Sequence, residues 1–114
     1  MEIRILARSL TLTDAQNEFV ERRIQYALGR FSTQIRAVHA TLSDINGPRG
    51  GHDVLCRIKV LMRKSGEILV GDTEETAEAA IANVADRAAR SLARLLDRQK
   101  DHHGMSMSGA LSAE

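Results

Sequence analysis

One helical period runs unbroken from Asp72 to Lys100. Ala77, Ile81, Val84, Ala88, Leu92 and Leu95 recur at steps of three and four, on one side of a helix about seven turns long. In proteins such a helix draws most of its stability from packing its stripe on another surface. The rest of the chain must therefore supply a long apolar face to lie against it. Asp72 with Glu75 has the D-x-x-E form of a capping box and marks the expected start of this helix. Its expected end is near Lys100.

Three upstream segments alternate with the period of a strand. In residues 2–8, Ile3, Ile5 and Ala7 share one face, and Arg4, Leu6 and Arg8 the other. In residues 34–43, Val38, Ala40 and Leu42 share one face, and Ile35, Ala37 and His39 the opposite one. In residues 53–63, Val54, Cys56, Ile58, Val60 and Met62 face in, while Arg57, Lys59 and Arg63 face out. The segment "KSG" then turns the chain, and "EILVG" returns as a fourth strand in a hairpin. Between the first two strands, Thr13 and Gln16 form a capping box, with Asp14 suited to the positive end of the helix dipole. The helix it starts should run to about Gly29, with Val20, Ile24, Ala27, Leu28 and Phe31 as its apolar stripe. The segment "DINGPRGGH" holds the only proline and reads as a turn or flexible loop.

The order is β-α-β-β-β-α. Half-polar strands leave one sheet face open, and two amphipathic helices most simply cover the other. The fold class is α+β: a two-layer sandwich, a four-stranded sheet with two helices packed on one face. Aromatic content is only 3%, so the core must be aliphatic and rich in alanine. Residues 1–100 form a single domain, and residues 101–114, without periodicity, form a flexible tail.

The long helix carries a second pattern. In "DRAARSLARLLDRQK", Arg87, Arg90, Arg94 and Arg98 also recur at steps of three and four. With Arg87 at zero, Arg90, Arg94 and Arg98 fall at about 300°, 340° and 20°, while the apolar stripe centres at about 100°. The strip thus lies on one flank of the helix. Asp86 is placed to pair with Arg90, and Asp97 with Arg94, but Arg87 and Arg98 have no acid at such spacing on the helix. Like charges this close repel. The first helix repeats the arrangement, with Arg23 and Arg30 along one flank, Arg22 and Tyr26 nearby, and Glu18 and Glu21 along the other. Two of the 15 acids, Asp101 and Glu114, lie beyond residue 100, which leaves residues 1–100 at +3. Most of the basic residues are arginine, the side chain suited to bidentate contact with phosphate or carboxylate. Two such flanks can hold a phosphate backbone. The bland alternative is a solvated charged face.

These patterns resemble the ribosome hibernation-promoting factors, which include short ribosome-associated translation inhibitors of stationary phase and cold stress. The likeness rests on the element order, on "LTDAQNEFV" at the first helix start, and on "EAAIANVADRAARSLARLLDR" in the last helix. It covers roughly residues 1–100. Arg87, Arg90, Arg94 and Arg98 fall on basic positions of that family's last helix, and Arg23 and Arg30 on those of its first. Arg22 and Lys100 complete the RNA-binding set. Glu78 stands where a tyrosine is usual, Ala82 where an acid or amide is usual, and Tyr26 where a lysine is common. The resemblance implies a non-enzymatic translation inhibitor that occupies the decoding channel of the small ribosomal subunit. Its partners would be that subunit and its rRNA, contacted through the basic faces of both helices. The second reading is a homodimeric protein-interaction module of the same fold, whose arginines meet an acidic protein partner.

No other constellation carries chemistry. Cys56 reads as a buried structural thiol, and a single cysteine suits a reducing cytoplasm. His39 reads as an ordinary sheet residue. His102 and His103, with Met105 and Met107, lie in the tail without a ligand frame, so no metal or other cofactor is expected. The glycines near Arg49 lack the Gly-Lys-Ser/Thr ending of a phosphate loop. Glu74, Glu75 and Glu78 read as helix-start electrostatics. No nucleophile–base–orienter set is visible, so neither an enzyme nor a small-molecule substrate is expected. No apolar run is long enough to span a membrane, and "MEIRILARSL" lacks the apolar segment of a secretory signal.

Overall fold

The computed structural model describes residues 1–45 and 53–107, apart from the side chains of 100–107. The elements follow as β1 (Glu2–Arg8), α1 (Asp14–Leu28), a 3-10 turn (Gly29–Phe31), β2 (Ile35–Asp44), β3 (Val54–Met62), β4 (Glu67–Glu74) and α2 (Ala77–Met107). The loop around Arg49 and residues 108–114 lie outside the described residues.

The four strands form one sheet in the order β1-β2-β3-β4. β1 and β2 are parallel, a pairing that needs a crossover, and α1 supplies it. The other two pairings are antiparallel. One face carries the core: Val38, Ala40 and Leu42 from β2, and Cys56, Ile58 and Val60 from β3, all buried. Val20, Ile24 and Leu28 of α1 close over it, as do Ile81, Val84, Ala88 and Leu92 of α2. Ala77, Ala80, Ala85 and Ala88 line the buried side of α2, giving the aliphatic, alanine-rich core that scarce aromatics require. This is the α+β sandwich expected, with the element order expected.

Ile35 corrects the strand reading. Strict alternation puts it with Ala37 and His39, away from the core. It is fully buried among the core residues instead. The register shifts between Ile35, opposite Met62, and Ala37, opposite Leu61. This irregularity breaks the alternation and turns Ile35 inward.

Both ends of the long helix also differ from expectation. Its first turn is capped by Thr76, whose Oγ1 accepts from the Ala79 N–H at 3.1 Å, and not by Asp72. Asp72 and Glu74 belong to β4, opposite Cys56 and Val54 of β3. Strand pairing thus extends the fourth strand beyond Gly71 and delays the helix. At the other end α2 continues to Met107, past the expected stop near Lys100.

The first helix begins as expected. The Gln16 N–H donates to Thr13 Oγ1 at 3.1 Å, and the Thr13 N–H donates to Gln16 Oε1 at 2.9 Å. At the β3–β4 turn, Gly66 has φ +97°, a conformation costly for any residue with a Cβ. Gln99 of α2 steadies this turn, its Nε2 donating to the Ser65 carbonyl at 3.5 Å.

Candidate nucleic-acid interface

Helices α1 and α2 lie side by side and run in the same direction. At their starts, Gln16 Nε2 donates to Glu78 Oε2 at 3.3 Å. Two turns on, Arg23 reaches across to α2, donating to the Ala82 carbonyl at 3.3 Å and to Asp86 Oδ1 at 3.2 Å. The sequence offset is 62 at the first contact and 63 at the Arg23–Asp86 pair. Continued along the helices, that offset brings Arg30 to the level of Arg90 and Arg94. The basic flank of α1 thus faces α2.

The arginines fall into two groups. Arg23 and Arg87 are held by acids. Arg23 is half-buried and bound to Asp86, which is therefore not the partner of Arg90 that helical spacing suggests. Arg87 extends to the sheet edge, where its Nη1 meets Asp72 Oδ2 at 3.0 Å and donates to the Gly71 carbonyl at 3.4 Å. Its acid comes from β4, a neighbour that helical spacing cannot reveal.

Asp72 is a junction. It accepts from its neighbour's N–H, Thr73, at 2.8 Å, and from Asn83 Nδ2 at 2.8 Å. The Thr73 N–H, then Asn83 and Arg87, hold its carboxyl below the usual carboxylate range. Glu74 also serves this junction, accepting from Asn83 at 3.2 Å. Asp72 and Glu74 thus tie β4 to α2 and do not act on the helix start.

Arg22, Arg30, Arg90, Arg94 and Arg98 form the second group. All are exposed, and none has an acid partner among the described residues. Arg94 donates only to Ser91 Oγ, at 3.5 Å, so the expected pair with Asp97 does not form. The Arg30 guanidinium lies over the Phe31 ring, 4.7 Å from its centroid. Lys100 stands in α2, but its side chain lies outside the described residues.

The fold, the parallel helices and their basic flanks can be set beside known proteins. The profile of the sigma 54 modulation protein / S30EA ribosomal protein family matches residues 3–100. The chain belongs to that family.

S30EA-family proteins are ribosome-associated modulation factors, a non-enzymatic kind of protein. Among solved structures, this S30EA-family chain is similar to the N-terminal domain of Protein Y from Thermus thermophilus. The two share 23% identity at a TM-score of 0.69, over 83% of this chain and 99% of that one. It is also similar to a ribosomal subunit interface protein from Coxiella burnetii, at 12% identity and a TM-score of 0.71, over 85% of this chain and 99% of that one. At these identities the likeness establishes the fold. No curated protein matched at the level of sequence.

The other candidates settle into structural roles. Cys56 is fully buried, and burial pushes its thiol up to about 12. His39 lies in β2 between Arg4 and Lys59, on the sheet face away from the helices. His102 and His103 lie outside the residues whose side chains are described. No helix among the described residues is long and apolar enough to cross a membrane.

Proposed function

We propose that this protein binds the small ribosomal subunit in its decoding channel and inhibits translation by steric competition with mRNA and tRNA anticodons. One observation carries the reading. Arg90, Arg94 and Arg98 line one strip of α2 without an acid partner among the described residues, in a family associated with the ribosome. Aligned guanidiniums without counterions are a costly surface unless an anion covers them. Ribosomal RNA supplies phosphates in rows, and contacts to them position a protein without reading sequence. Arg22 and Arg30 extend the strip onto α1. Arg23 and Arg87 hold the helices and β4 in place beneath it. A factor acting in this way suits the non-growing cell, in stationary phase or under stress.

A dimer through the open sheet face has less support. Its two exposed leucines, Leu6 and Leu69, sit on the opposite edge strands β1 and β4. Arg4, His39, Lys59 and Leu69 form one cross-strand row, so basic residues interrupt the apolar ones.

The test is sedimentation with purified small subunits. The wild type should pellet with them, and the variant with Arg90, Arg94 and Arg98 all changed to Glu should stay in the supernatant with its fold intact by circular dichroism. Equal pelleting of the two would remove the strip from the interface.

A further inference from the structure

Beside the arginine strip, α1 carries a feature that phosphate binding does not use. Tyr26 is 80% exposed, the most exposed large apolar or aromatic side chain among the described residues. An aromatic ring left this open contributes little to folding. It sits three residues after Arg23 and four after Arg22, on the turn that follows them. The Arg23 guanidinium lies over the ring, 5.4 Å from the centroid. That guanidinium is itself fixed, because Ala82 and Asp86 of α2 hold it. One side of Tyr26 is thus backed by an anchored cation, and its high exposure leaves the other side open. Phe19, two turns earlier on the same side of α1, completes a shallow hollow of about 360 Å³ with Arg22, Arg23 and Tyr26.

We infer that Tyr26 is a stacking platform for one unpaired nucleobase of RNA. The ring offers its free face to the base. Arg22, exposed at the rim, is placed for the phosphate of the same nucleotide. Single-stranded RNA is recognised by this combination of an aromatic face and neighbouring arginines, and the stack tolerates any base because every base has a π face. The inference rests on the RNA-binding reading above but adds a different kind of contact. The arginine strip grips backbone, whereas Tyr26 takes hold of a base that must be splayed out of a helix.

The chain offers an unusually direct test, because Tyr26 is its single tyrosine and it has no tryptophan. Tyrosine emission therefore reports this one position. Three variants, Tyr26→Phe, Tyr26→Ala and Tyr26→Lys, are titrated against purified small subunits. In parallel, the wild type is titrated by fluorescence with a short unstructured RNA and with an abasic oligonucleotide of equal length and charge. Tyr26→Phe should bind within about twofold of wild type, and Tyr26→Ala roughly 5- to 150-fold more weakly, the range of one base–aromatic stack. Tyr26→Lys, which adds charge without a ring, should stay weaker than Tyr26→Phe. RNA should quench the tyrosine, and the abasic strand should not.

Subunit binding by Tyr26→Ala equal to wild type would overturn the inference and leave the ribosome reading standing. So would recovery by Tyr26→Lys, which would reduce the position to charge. Weaker binding of Tyr26→Ala without base-dependent quenching would assign Tyr26 to a ribosomal protein contact and also overturn it. If the wild type fails to bind subunits at all, the ribosome reading fails separately. Quenching by RNA but not by the abasic strand then still decides the stack.

Discussion

Removing the side chains of Arg90, Arg94 and Arg98 together should change how binding depends on salt, by an amount the structure fixes. Each cation that neutralises a phosphate releases a counterion, and each contributes about 0.7–0.9 to the slope of log affinity against log salt. Arg22, Arg30, Arg90, Arg94 and Arg98 are exposed without an acid partner among the described residues. If all of these meet phosphate, the wild-type slope is about −4. Between 50 and 200 mM salt its affinity for small-subunit rRNA would then fall about 250-fold. Changing Arg90, Arg94 and Arg98 to Ala removes about 2–3 from that slope, so the same salt step should cost the variant only about tenfold. Alanine suits an exposed helix position, so the fold should persist. Arg87→Ala is the control on the same helix. Its guanidinium is already matched by Asp72 at 3.0 Å, so its loss should leave the slope nearly unchanged. The assay is a binding titration across a KCl series at constant Mg²⁺. A triple variant with the wild-type slope would refute the reasoning. So would Arg87→Ala lowering the slope as much as Arg90→Ala does.

Other outcomes follow from the fold. The Asp72 carboxyl titrates below its unfolded counterpart, whose value is about 3.9. The stability it contributes is complete above about pH 5 and is lost as pH falls through the lowered native value. Asp72→Asn should therefore melt at lower temperature than wild type near neutrality, with the two melting curves converging towards pH 3; curves that stay parallel would contradict this. Gly66→Ala meets only ordinary contacts, with Leu95 Cδ2 at 3.5 Å, so its cost is that of φ +97°, about 1–2 kcal/mol. Thermal unfolding should shift down by roughly 4–10 °C, and an unchanged midpoint would refute it. Cys56, with its thiol pushed up to about 12, should resist thiol reagents at pH 8 until denaturant opens the core. Rapid labelling of the native protein would show that the core is not closed.

Periodicity carried the fold. The stripes of both helices, the inward faces of β2 and β3, and the Thr13–Gln16 box all stand where their spacing placed them. What failed did so where tertiary pairing overrode local signals. Asp72-x-x-Glu75 has the form of a cap, but pairing with Cys56 keeps Asp72 in the sheet, and Thr76 takes the capping role. Ile35 was misplaced because an irregular register breaks the rule of two. The site was legible in outline and not in its pairings. Helical spacing finds Arg87, Arg90, Arg94 and Arg98 as a strip, but the acids that bind Arg23 and Arg87 come from other elements. Asp86 answers Arg23 across the helix pair, and Asp72 answers Arg87 from the sheet. Those contacts separate the arginines that build the surface from those left free to bind. The exposure of Tyr26 left no mark in the sequence, because any helix flank can carry one tyrosine.

The central claim is that the free arginines of α2 hold the protein in the decoding channel. Chemical probing of the small-subunit rRNA, with and without bound protein, tests it most directly. The account predicts protection confined to the nucleotides that line the mRNA path and the anticodon sites. That protection should disappear when Arg90, Arg94 and Arg98 are changed to Glu. Protection elsewhere on the subunit, or the same channel protection from the Glu variant, would contradict it.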